Sequence, residues 1–280
     1  MNALLAPLLI AQAAVPAPAF APPLATPFRI VTERIQIGGD RQQHHRTERM
    51  LRFGRNALGL YAEVTLIAAT APTPGDAADM FEAGYRGLLG RTIVLRLDES
   101  GNVSEIEDLD SLWEAFCRGV AAMAASRRTD AGAEEREAFA ERIAATLRVS
   151  PIARRRAAFA TLVSEAIADD GFAQPHGIPL SVEVPGRTPF GGAVTLQGMR
   201  RVDRAEGLLR STTEASGTVP LPPAAGTAES AVMTIAIERT ADPATGLLRT
   251  ARETVRTSIG EDDARRELSV VSTVHIERVR

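Results

Sequence analysis

The 280-residue sequence predicts an α+β protein: a long, curled antiparallel β-sheet of two meanders, with a central helical insert packed on one face. Three observations predict it. Apolar residues alternate with period two from Phe28 to about residue 107 and do so again after Pro179. Between these stretches the apolar spacing changes to that of amphipathic helices. Finally, Gly- and Asp-containing turns punctuate both alternating stretches at hairpin intervals.

In chain order, Phe28, Ile30 and Thr32 alternate with Arg29, Val31 and Glu33 until Gly38-Gly39-Asp40 breaks the run. A second run, His45 to Phe53, puts Arg46, Glu48 and Arg52 on one face and Thr47, Leu51 and Phe53 on the other. A third contains Leu58, Leu60, Ala62, Val64 and Leu66. Pro74-Gly75-Asp76 reads as the start of a short helix with Asp76 as its cap. Strands at 92–97 and 102–106 flank the turn Asp98-Glu99-Ser100-Gly101. Leu109, Leu112, Trp113, Phe116, Val120 and Met123 form one helical stripe, and Phe139, Ile143 and Leu147 a second. Ser150-Pro151 reads as a third helix start, with Phe159, Leu162, Val163 and Ile167 on its apolar side and Gly171 at its end. These stripes call for apolar partners, most simply the sheet. Strands are then expected at 180–185, 193–203, 207–217, 231–241, 246–258 and 266–278, with a loop at 218–229. Strands this long twist, so the sheet is expected to curl.

The organisation is therefore a leader at 1–14, an Ala/Pro-rich linker at 15–27 and one α+β domain at 28–280. That domain divides into a first meander with a short helix (28–107), a helical insert (108–170) and a second meander (179–280). The leader reading rests on an apolar stretch from Leu4 to Ile10 followed by Ala11-Gln12-Ala13-Ala14, a secretory signal pattern that lacks the usual basic start. It implies a periplasmic or secreted protein; the alternative is a cytoplasmic protein with a disordered Ala/Pro-rich arm. The apolar length before Pro16 is too short for a membrane span, and no cysteine follows it to take a lipid anchor.

Composition narrows the chemistry. The chain is 45% hydrophobic and 24% charged, as globular proteins are, but only 4% aromatic, so aliphatic residues must build the core. All 32 basic residues are arginine, which removes lysine-based covalent catalysis. A net charge of −3 gives no reason to expect a nucleic-acid partner. The single cysteine, Cys117, lies in the first helical stripe and reads as a buried structural thiol. His44 and His45 point to opposite faces of one strand and cannot share a metal there. His176 lies in a turn and His275 in a strand, so no metal or cofactor is expected. No Gly-x-Ser-x-Gly elbow or phosphate-binding glycine loop is present, and no catalytic residue is assigned. The carboxylate pairs Asp169-Asp170 and Asp262-Asp263 fall in expected loops.

Two groups are candidate binding residues. Phe81, Tyr85, Trp113 and Phe116 lie on helices expected to face the curled sheet and are candidates for an apolar ligand site. Arg154, Arg155 and Arg156 occupy the first turn of a helix, where the macrodipole disfavours cations, and are candidates for an anion site.

Two segments carry a resemblance. Leu95–Leu109, with the turn Asp98-Glu99-Ser100-Gly101-Asn102, and Asp242–Arg249 resemble corresponding turns in uncharacterised exported bacterial proteins built as meander, helical insert and meander. That arrangement is in turn similar to the curled-sheet scaffold of periplasmic lipoprotein carriers. The resemblance implies fold and compartment and transfers no functional residue. Together these readings favour a non-enzymatic exported protein that binds a lipid or other apolar or amphiphilic molecule in its concave face. The alternatives are a cell-envelope interaction or assembly module with a filled core, and a hydrolase with no sequence signature.

Overall fold

The computed structural model describes residues 18–39, 41–70, 83–188, 192–221, 230–260 and 266–279. The leader at 1–14, the helix start at Asp76, Phe81, and the pair Asp262-Asp263 lie outside the described residues.

Among the described residues, eleven antiparallel strands form one open sheet. The first meander comprises β1 (Pro27–Gly38), β2 (Arg41–Asn56), β3 (Gly59–Thr70), β4 (Thr92–Leu97) and β5 (Val103–Ile106). The second comprises β6 (Leu180–Arg187), β7 (Ala193–Ala205), β8 (Leu208–Pro220), β9 (Ser230–Asp242), β10 (Leu247–Ile259) and β11 (Arg266–Arg278). Their spatial order is β5-β4-β3-β2-β1-β11-β10-β9-β8-β7-β6. Each meander is sequential, and the two meet where β1 pairs with β11. The edge strands β5 and β6 are joined by the insert, which carries α1 (Leu109–Ser126), α2 (Ala133–Arg148) and α3 (Ile152–Ser164).

Turn chemistry sets the registers. Ala205 pairs with Leu208 across the two-residue turn Glu206-Gly207, where both residues have positive φ (53° and 79°), the conformation that matches strand twist. At the β9–β10 turn, the Asp242 carboxylate accepts the Ala244 N–H at 2.9 Å, and Gly246 closes the turn at φ 66°.

The two faces of the sheet differ in chemistry. On the convex face, Arg29 pairs with Glu48 at 2.7 Å and Glu277 at 3.1 Å, while Arg46 pairs with Glu33 and Arg52 with Glu63. The Arg29 guanidinium holds the Glu48 carboxyl below the usual carboxylate range. The concave face has two apolar clusters. One is roofed by the insert: Phe28, Ile30, Leu51, Phe53, Val64 and Leu95 of the sheet meet Trp113 of α1 and Phe159 and Leu162 of α3. The other consists of Val184, Leu196, Ala215, Val219, Ala231, Met233 and Ile235, all from β6–β9.

None of the described helices supplies a buried residue of that second cluster; the curl of the sheet brings its strands together. A Cβ built on Gly186 of edge strand β6 would stand 2.8 Å from Ile235 and 3.1 Å from Met233, both on β9. In a flat sheet these strands would be about 14 Å apart at ~4.8 Å per strand.

Several local details differ from the sequence expectation. The stripe on α2 meets mainly α1 rather than the sheet, and only Ala144 of α2 is fully buried. Helix α3 begins one residue later than Ser150-Pro151 suggests: Pro151 is the cap, its carbonyl accepting from the N–H of Arg154 and Arg155. The same helix stops at Ser164 instead of Gly171, because residues 166–168 are drawn into backbone pairing with the start of β10. There Leu248 N–H donates to Ala166 O at 2.9 Å, and Ala168 N–H to Gly246 O at 2.9 Å. Residues 218–220, expected in a loop, extend β8 and pair with 230–232, while 222–229 lie outside the described residues. Of the segment expected as a linker, residues 18–26 run against the protein. Phe20 packs edge-on to Phe53 at 5.5 Å, and Ala21 N–H donates to Thr245 O at 3.0 Å.

Candidate functional site

Strand register shows which side chains share the concave face, because directly opposed residues point the same way. One row across the sheet reads His45, Arg34, Ser272, Glu253, Ile237, Thr213, Arg200. The next reads Thr47, Thr32, Val274, Ala251, Arg239, Ser211, Val202. The first row and the polar members of the second form a belt between the two apolar clusters, with Val274 and Val202 at the margin of the roofed one. β1 shows the change on one strand: Phe28 and Ile30 face the roofed core, whereas Thr32, Arg34 and Gln36, on the same face, line open space.

That open space is a trough with two bays. The first, about 750 Å³, lies beyond the end of α3. Ser164, Glu165, Ile167 and Asp169 line it from the insert side, and Ile237, Leu248, Ala251 and Val274 give it an apolar floor. The second, about 700 Å³, runs between β6–β7 and β10–β11, lined by Pro185, Gly186, Val194, Val255 and Val270. Arg34, Glu253 and Ser272 border both bays and join them.

Polar groups along the insert side of the trough are fixed. Arg49, 2% exposed, donates from Nε to the Leu162 carbonyl at 2.9 Å, from Nη1 to Thr32 Oγ1 at 3.1 Å and from Nη2 to Glu165 Oε2 at 2.8 Å. One buried guanidinium thus satisfies a carbonyl in the last turn of α3, where a cation is favoured, and ties the insert to β1 and β2. Arg239 pairs with Asp169, whose other oxygen accepts the Gly171 N–H at 3.0 Å. Arg200 Nε donates to Thr213 Oγ1 at 3.0 Å.

The residues singled out from the sequence lie elsewhere. Tyr85, Trp113 and Phe116 are brought together beneath the insert. Trp113 stacks on Phe116 at 5.2 Å, Tyr85 meets Phe116 edge-on at 6.3 Å, and Phe159 meets Trp113 edge-on at 6.2 Å. The Trp113 indole N–H donates to Leu147 O at 3.1 Å, and burial pushes the Tyr85 phenol up. None of the three lines the trough. Cys117 is fully buried in the same cluster, and desolvation raises its thiol. Arg154 and Arg156 are exposed. Arg155 donates to the carbonyls of Arg148 and Ser150 and pairs with Asp110 at 3.1 Å. Its charge therefore serves the C-terminal end of α2, where cations are favoured, despite its place in the first turn of α3. His45 lines the trough, while His44 and His275 belong to the opposite face. Among the described residues, no group of three or more His, Cys, Asp or Glu is arranged to hold a metal ion.

Sequence reasoning missed Arg34, Arg49, Glu165, Arg239 and Glu253, and read Asp169 only as part of a loop carboxylate pair. One signal for Arg49 was available: it shares strand parity with Thr47, Leu51 and Phe53, so a charge had to lie on an apolar face. Glu165 carried none, since it reaches the trough through the turn after α3.

No protein-family model matches the sequence, and neither does any curated protein. The fold is similar to a solved structure of lipovitellin, described in terms of its lipid–protein interactions, with a TM-score of 0.41 and 7% identity. The similarity covers 92% of this chain and 25% of that one, so the chain spans about a quarter of that protein's length. At that TM-score the likeness carries no weight for ligand or activity. No described helix is long and apolar enough to cross a membrane.

Proposed function

We propose that the protein is a non-enzymatic, exported binding protein that holds an amphiphilic molecule in the trough of its concave face. The carrying observation is the trough itself: two bays of about 750 and 700 Å³, apolar along their floors and joined at a polar border. Volumes of ~300–1,000 Å³ with few, convergent polar groups suit small-molecule binding. Burying ~300 Å² of an apolar tail there yields roughly 7 kcal/mol before association entropy is subtracted.

Binding fits the site better than chemistry does. Glu165 and Asp169, the carboxylates nearest the insert, are each held in an ion pair with an arginine that fixes the wall of the trough. Export rests on the apolar leader-like start of the sequence and places the ligand among molecules of the cell envelope.

Native mass spectrometry of the protein purified from its own host tests this reading. Co-purifying mass of lipid size, lost on organic extraction, is the expected result. A clean apo mass, together with failure to displace a trough-bound fluorescent fatty-acid probe, overturns it.

A further inference from the structure

Among the described residues, Arg34 and Glu253 are the charged residues that border both bays of the trough. Arg49 is closed on Glu165, Arg239 on Asp169, and Arg200 is hydrogen bonded to Thr213. Arg34 and Glu253 make no ion pair among the described residues, and both are exposed to the trough. They lie on one row with Ser272 between them: Arg34 is opposite Ser272, and Ser272 is opposite Glu253. Two strand spacings put their Cα positions about 10 Å apart. All three residues border both bays, so the charges stand where the two apolar floors meet.

We propose that Arg34 and Glu253 form the headgroup site of the trough, and that its ligand is a zwitterionic amphiphile with its anion on Arg34 and its cation on Glu253. This rests on the binding function proposed above and specifies its ligand class. A purely anionic head placed here gains Arg34 but meets the Glu253 carboxylate, and a purely cationic head meets the opposite conflict. An uncharged head leaves both charges without a partner. A head carrying both charges a few ångströms apart satisfies the two side chains together, and the Ser272 hydroxyl can donate to its anionic oxygen. The tail then lies on Ile237 and Val274 in one bay or on Val255 and Val270 in the other. Low-dielectric walls strengthen both ionic contacts relative to open water.

The test uses the full chain and four probes with the same twelve-carbon tail, titrated below their micelle concentrations by calorimetry. The heads are phosphocholine, phosphate, trimethylammonium and maltoside. Dodecylphosphocholine is expected to bind roughly tenfold more tightly than the maltoside, in line with charge-assisted contacts in a partly dry site. Arg34→Gln and Glu253→Gln should each remove most of that advantage. Glu253→Gln should also improve binding of dodecyl phosphate, which a purely structural role would not do. Equal affinity for all four heads, preference for a singly charged head, or indifference to both substitutions overturns the headgroup site while leaving an amphiphile-binding trough intact. Failure of every probe to bind overturns the binding function itself. The comparison of heads on the unaltered protein decides the matter even if a variant folds poorly.

Discussion

The two apolar clusters of the concave face belong to one continuous sheet yet exclude water by different means. Towards the insert, side chains of β1–β4 are sealed by α1 and α3, and Ile30, Phe53 and Val64 are wholly buried. Towards the other end, β6–β9 curl over one another, and Met233 and Ile235 are buried among them, with Leu221, Val255 and Ile259 packed at the margin. Between them neither device reaches, and there the same face turns polar. Whether an inward side chain is apolar thus follows from what lies above it, not from which strand carries it.

Three substitutions probe this contrast, the largest effect first. Phe53→Ala, in the roofed cluster against Phe20 and Phe28, should cost about 4 kcal/mol of unfolding free energy, because the rigid lid cannot collapse into the space left. Urea denaturation followed by far-ultraviolet circular dichroism measures it; a loss below 1 kcal/mol would mean the roof is not packed as described. Arg49→Leu should cost about 3 kcal/mol, since it strands the Leu162 carbonyl, the Thr32 hydroxyl and Glu165 at once. Hydrogen exchange should then speed up first at the end of α3, and uniform exchange would count against Arg49 as the tie between insert and sheet. Arg34→Gln, in the trough, should change stability by no more than about 0.5 kcal/mol, as expected for an exposed side chain with no partner to lose. A larger loss in the same denaturation assay would make Arg34 part of the scaffold.

Much of the fold was legible because its signals are local. The alternation of Phe28, Ile30 and Thr32, the Asp242–Gly246 turn, and the stripe through Leu112, Trp113 and Phe116 each place an element with no knowledge of the rest. Less of the site was legible. Trp113 and Phe116 share their helical spacing with any core-facing pair, and the pattern cannot say whether a cavity or a sheet lies opposite. Arg34 and Glu253 are far apart in the chain and become neighbours on one row only through the β1–β11 and β10–β11 registers. Arg155 misled because its partner is the end of another helix. The end of α3 escaped because backbone bonds to β10 override the local propensity of residues 165–170.

The pairing of β1 with β11 has a consequence for how the chain assembles. Each meander can form from contacts close in sequence, but the seam between them joins strands from opposite ends of the folded region. Joining them requires closing a loop that contains every other element, so the seam carries the largest loop-closure cost of any strand pair in the sheet. During synthesis the edge of β1 that pairs with β11 stays bare until β11 emerges, and the polar border of the trough, which spans that seam, cannot be complete before then.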